Sequence, residues 1–309
     1  MQPGVFGKCG RLSLRKQFHM KWFLLLPLAC SLSVFGQDSL RLHYKIYDTK
    51  AREEVGIERI VASLSEADVL FFGEEHNDSV GHYLEHQIFR ALHQAYGPEL
   101  SLSMEMFESD NQLVLNEYLA GRIDESRLSK DARLWSNYKD YRPMVEFARL
   151  QGIPVIAANP PRRYVTLVGR RGMRALDSLS AEAKALLPPL PFDTLSGRYR
   201  EKFMEIMKGS PGGENPRIYY SQCLWDAGMS YQIYRHWKKN RGKVFHCVGK
   251  FHSDEKLGTA EQLRQRSRHI RIRNISCFSD KSFAKPDWDR FTELGDFIIL
   301  TDPDVKRSY

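Results

Sequence analysis

The chain has 309 residues, with 46 Lys and Arg against 38 Asp and Glu, a formal charge of +8. Five of the basic residues and none of the acids fall in residues 1–36, which leaves 41 against 38, or +3, over the other 273 and removes the nucleic-acid reading that a basic chain invites. Beyond residue 36 the cysteines are Cys223, Cys247 and Cys277, with no C-x-x-C spacing, which excludes a disulfide-stapled scaffold, a zinc ribbon and a thioredoxin-like motif.

In chain order, the first element is a leader. Met20-Lys21-Trp22 opens an apolar run from Phe23 to Phe35, too short to span a bilayer and shaped like a secretory signal. Val34-Phe35-Gly36 places cleavage before Gln37, and Met20 is an alternative start. Leu28-Ala29-Cys30 offers a second outcome, a lipid anchor on Cys30, which Pro27 fits poorly. Either outcome exports the chain, and residues 37–309 read as a single domain.

Leu40–Tyr47 alternates polar and apolar residues, as a peripheral strand or hairpin does. Val69–Phe72 is a short apolar strand that runs into Gly73-Glu74-Glu75-His76. The helix after it gathers Leu84, Ile88, Ala91, Leu92 and Tyr96 on one face, with His82, His86 and His93 along the flank. Leu100–Met106 is the next strand and carries Glu105. Trp135, Tyr138 and Tyr141 cluster where a helix begins, followed by Arg142-Pro143. Pro154–Ala158 is a third strand, ending at Asn159 with Arg162 just beyond.

Residues 162–240 read as helices (Pro161–Leu176, Ser180–Leu187, Leu195–Met207 and Pro216–Lys239), a helical subdomain inserted between strands. Lys243–Val248 then runs into Gly249-Lys250-Phe251-His252, and Ile270–Phe278 and Phe297–Thr301 complete the set. Near-continuous apolar strands alternating with helices predict an α/β fold, a mostly parallel sheet flanked by helices.

Two strands thus end in glycine, two residues and histidine. Glycine there is expected to let the backbone turn sharply, and the carboxyl edge of such a sheet is where ligands bind. Glu74, His76, Glu105 and His252 are therefore expected to share a site, with Asn159 and Arg162 beside it. Two histidines and two carboxylates suit either general acid–base catalysis or a divalent metal such as zinc or manganese. For haem, Tyr141 offers a phenolate ligand and Arg142 a propionate partner, with His82 and His86 as further imidazole ligands.

An ordered set of motifs extends over about residues 60–260. It comprises Phe71-Phe72-Gly73-Glu74-Glu75-His76, Met104-Glu105-Met106-Phe107, Glu117-Tyr118-Leu119-Ala120-Gly121, Tyr141-Arg142-Pro143-Met144, Gly152 to Asn159, Gln222-Cys223-Leu224-Trp225-Asp226 and Gly249-Lys250-Phe251-His252. In these the chain resembles the ChaN-like family of haem-binding uptake proteins, iron-regulated lipoproteins related to Tiki-type metalloproteases and erythromycin-esterase-like hydrolases. The resemblance implies an exported protein, periplasmic or associated with the outer membrane of a Gram-negative-type bacterium. It would bind haem in iron uptake, with a homodimer covering the haem pocket and membrane contact only through the Cys30 anchor. The alternative it implies is a metal-dependent hydrolase acting through Glu74, His76, Glu105 and His252.

Overall fold

Strands with both faces covered form the centre of the molecule, in a computed structural model that describes residues 40–210, 212–213 and 215–309. The leader, the start at Met20, the cleavage before Gln37 and the anchor at Cys30 lie outside the described residues. Among the described residues eight strands are formed: β1 Tyr44–Asp48, β2 Glu53–Glu54, β3 Val69–Glu74, β4 Leu100–Glu108, β5 Val155–Asn159, β6 Lys243–Gly249, β7 Ile272–Ser279 and β8 Phe297–Thr301. They lie in the order β2-β1-β8-β7-β3-β6-β4-β5. The six strands from β8 to β5 are parallel, and β1 joins β8 antiparallel with β2 on its outer edge. The expected parallel sheet is therefore present, extended by an amino-terminal hairpin that begins at Tyr44, because Leu40–His43 forms a 3-10 turn.

Among the described residues ten α-helices accompany the sheet: α1 Ile57–Ser63, α2 Ser79–Tyr96, α3 Gln112–Leu119, α4 Glu125–Asp131, α5 Tyr138–Gln151, α6 Arg162–Arg171, α7 Ala181–Lys184, α8 Arg198–Met207, α9 Pro216–Asn240 and α10 Gly258–Arg266. Alternate residues of β3 feed opposite faces, as the pleat requires. Leu70 and Phe72 meet Leu84, Ile88 and Phe89 of α2 and Val145 of α5 in one apolar cluster. Val69 and Phe71 join a second with Met229, Ile233 and Trp237 of α9 and Leu263 of α10. Every residue of β3 is buried, which is why Val69–Phe72 is an unbroken apolar run rather than an alternation.

The helical stretch expected at 162–240 has an apolar cluster of its own, including Val165, Leu176, Phe192, Tyr199 and Leu224. It is not independent of the sheet. The first half of α9 closes that cluster, and its second half lies against the strands.

The chain enters the parallel part of the sheet at β3, steps to β4 and β5 on one side, and returns to fill the gap with β6 before crossing to β7 and β8. That reversal opens a crevice at the carboxyl ends of β3, β6 and β4. In register, Glu74 on β3 lies beside Gly249 on β6.

Candidate functional site

Both glycine–histidine motifs deliver their imidazoles to this crevice, though not through the expected turn. Neither Gly73 nor Gly249 has a positive φ. They are required by space. A Cβ on Gly249 would stand 2.8 Å from His76 Nε2, and one on Gly73 would stand 2.5 Å from Ser253 Oγ and 3.0 Å from Lys250 Cα. Close approach of the two motifs, rather than backbone freedom, explains the glycines.

Each imidazole is backed by a buried carboxylate. His76 Nδ1 donates to Glu74 Oε1 at 2.7 Å. Burial pushes the Glu74 carboxyl up, but the imidazoles of His76, bonded to it, and of His82, 3.1 Å away, outweigh burial and hold it at about 2. Burial lowers His76, while its bond to Glu74 and the charge of Glu105 raise it to about 9. The two form an ion pair at neutral pH. In the second motif His252 Nδ1 is 2.7 Å from Asp226 Oδ1. Asp226, fully buried on α9, also accepts from Thr259 Oγ1 at 2.8 Å and from the Tyr199 hydroxyl at 2.5 Å. Burial lowers His252, and the charges of Asp226 and Glu105 raise it above the ordinary imidazole value.

Glu105 on β4 stands between the motifs. Its Oε2 accepts from the Gly249 N–H at 2.8 Å, and its Oε1 is 3.8 Å from His252 Nε2. These groups open into a pocket of about 680 Å³ lined by His76, Glu105, Asn159, Arg162 and His252, with Trp135 and Trp225 as aromatic walls and Arg133 also present. The Trp135 ring meets His76 edge-on, with centroids 5.1 Å apart.

Six of the expected residues are thus in or directly behind one site: His76, His252, Glu105, Asn159 and Arg162 line it, and Glu74 supports His76 from within. The other four are not at its surface. Tyr141, expected as a phenolate ligand for haem, is fully buried on α5 and donates its hydroxyl to Glu74 Oε1 at 2.6 Å. Burial and the charge of Glu74 push that phenol far above its usual range, so it stays protonated. His82 is buried next to it, with its ring 4.9 Å from that of Tyr141. His86 packs edge-on against Phe147. Arg142, expected at a propionate, is exposed and bonds Glu125 through two nitrogens at 2.5 and 2.8 Å.

The four residues expected to share a divalent metal do not surround one point. Glu74 occupies the Nδ1 side of His76, away from the pocket that Glu105 and His252 line. Among the described residues, three donors close enough to hold an ion are found instead at Glu74, His82 and Glu85.

Two important acids were not read as site residues from the sequence. Asp226 lies four residues after Gln222 on α9, and both are buried, so polar residues one turn apart on an apolar face were the available signal. Glu85 lies on the buried face of α2 between Leu84 and Ile88. Burial and the charge of Glu74 push its carboxyl well up.

The solved structure described as cofacial heme binding to ChaN of Campylobacter jejuni superimposes with a TM-score of 0.64 at 17% identity, over 84% of this chain and 97% of that one. An erythromycin esterase EreC mutant in its open conformation has a TM-score of 0.46 at 12% identity, over 84% of this chain and 83% of that one. Protein RETICULATA-RELATED 5, chloroplastic, of Arabidopsis thaliana is 29% identical over 187 residues, 56% of this chain. That match spans only 24% of the Arabidopsis protein. The family model described as haem-binding uptake, Tiki superfamily, ChaN matches residues 60–263, the stretch that contains β3 to β6, α9 and every residue of the two histidine–carboxylate pairs. The chain belongs to the ChaN family of haem-binding uptake proteins in the Tiki superfamily.

Proposed function

We propose that this protein binds haem in the strand-end pocket as part of haem or iron uptake, with His76 as the iron ligand. The observation that carries the reading is His76 itself. Its ring is 36% exposed into an open, tryptophan-walled pocket while Nδ1 is fixed by Glu74. An imidazole oriented by a carboxylate on one nitrogen leaves the other for a metal. Trp135, Trp225 and Pro160 supply apolar contact for a porphyrin, and Arg162 and Arg133 at the same pocket supply cations for its propionates. No described carboxylate pairs with the Arg162 guanidinium, whereas Arg133 bonds Glu108 and Asp110. A pocket open on one side suits a second copy laid over it. Export to the periplasm or outer membrane fits this role. Among the described residues no helix is long and apolar enough to cross a membrane.

Haemin titration followed at the Soret band tests the reading. Saturable binding is expected, weakened about tenfold or more in His76→Ala. Because iron must displace a proton from His76, affinity should rise as the pH climbs towards about 9. Binding that does not saturate, or that survives His76→Ala unchanged, refutes the assignment.

A hydrolytic reading has one specific observation in its favour: two imidazoles, each held by a buried carboxylate, both border Glu105. That arrangement is suited to moving protons during ester or amide cleavage without a metal. Turnover of a chromogenic ester, lost in His252→Ala while haemin still binds, would favour hydrolysis. Absence of turnover under the same conditions would leave haem binding alone.

A further inference from the structure

We propose that Glu74, His82 and Glu85 form an internal site for a divalent first-row metal ion, zinc foremost, separate from the open pocket in front of His76. One donor atom from each residue lies within 4.8 Å of the other two. His82 Nε2 is 3.1 Å from Glu74 Oε2, the separation expected of two ligands on one ion whose bonds are about 2.0–2.2 Å long. The construction is simple. Glu74 closes β3, and His82 and Glu85 are three residues apart on α2, so a single helix docked behind the strand end turns both side chains towards the carboxylate.

All three residues are buried. Among the described residues no partner of hydrogen-bond geometry reaches Glu74 Oε2, either ring nitrogen of His82 or either oxygen of Glu85. Buried polar atoms are nearly always paired, and five unpaired atoms in one knot call for an occupant. A proton shared by the two carboxyls would fill one gap and leave both imidazole nitrogens without partners. One cation satisfies an oxygen of each glutamate and a nitrogen of His82 together, and two carboxylates balance its charge.

The surroundings fit the same occupant. Asp140 Oδ2, itself without a hydrogen-bond partner, stands 4.0 Å from His82 Nδ1. An orienting carboxylate on the far nitrogen is what a metal-bound imidazole commonly has. The Cys247 thiol lies beside Glu85 but is not among the three mutually close donors. Mixed nitrogen and oxygen ligands suit zinc, whereas calcium and magnesium require shells built of oxygen. The site does not depend on whether the pocket takes haem.

The test is zinc content. The full chain and three variants, Glu85→Gln, His82→Ala and His252→Ala, are loaded with zinc, freed of excess by gel filtration and assayed by elemental analysis. About one zinc per chain is expected in the wild type and in His252→Ala, with loss in Glu85→Gln and His82→Ala. Zinc should raise the Tm of the first two only. Circular dichroism checks each fold, and the near-isosteric Glu85→Gln decides if His82→Ala fails to fold. Cobalt(II) added to the wild type gives a measurement that needs no variant, the visible d–d bands of a low-coordinate site. Absence of both zinc and cobalt bands on the wild type overturns the site. So does zinc undiminished in Glu85→Gln, or zinc lost in His252→Ala instead.

Discussion

Asp226→Asn removes one charge, keeps the shape, and separates the electrostatic role of the buried acid from its packing. Asp226 is fully buried and receives three contacts, from His252, Thr259 and Tyr199. An amide can still accept from one or two hydroxyls, but it leaves the His252 imidazolium without its counter-ion. Breaking a buried pair by removing one partner costs about 3–5 kcal/mol. The lower end applies here because the side chain keeps its volume, so about 3 kcal/mol is expected, or a Tm lower by roughly 6–12 °C.

The pH dependence is more diagnostic than the midpoint. His252 is raised in the folded chain, so its contribution to stability is fully present below the unfolded imidazole value, about 6.5, and is lost as pH rises through the folded value above it. In Asp226→Asn burial is opposed only by Glu105, and that contribution disappears. Urea denaturation of both proteins between pH 5.5 and 9 should therefore show the widest gap at the acid end and a narrowing gap as pH rises. Equal midpoints at pH 6, or a gap independent of pH, would refute the pairing.

Tyr141→Phe removes a buried hydroxyl from Glu74 Oε1 and should cost about 1–3 kcal/mol in urea denaturation while leaving the Soret maximum in place. A shifted Soret band would show that Tyr141 reaches iron after all. Gly249→Ala sets a methyl group 2.8 Å from His76 Nε2 on a backbone that tolerates it, with φ of −56°. Its cost, about 1–3 kcal/mol from overpacking, should appear as a lower Tm together with weaker haemin binding, and a change in neither would remove the close approach as the reason for the glycine.

The sequence by itself determined the strand ladder and the edge at which the site lies. Strands buried on both faces must be apolar throughout, and the distance from the last apolar residue to Glu74, His76 or His252 is a local property of the chain. It also placed Asn159 and Arg162 at that edge, since one ends a strand and the other follows it, and Glu105 in the last part of its strand. Partnership was decided only in three dimensions. Asp226 finds His252 because α9 spans from the helical cluster to the sheet, and Glu85 meets Glu74 because α2 docks behind β3. Tyr141, one of three neighbouring aromatic residues, turns inward to a carboxylate 67 residues earlier, and no local pattern distinguishes that from an exposed phenol. Even the two glycines were legible as positions but not as causes, because a need for positive φ and a need for space leave the same letter in the sequence.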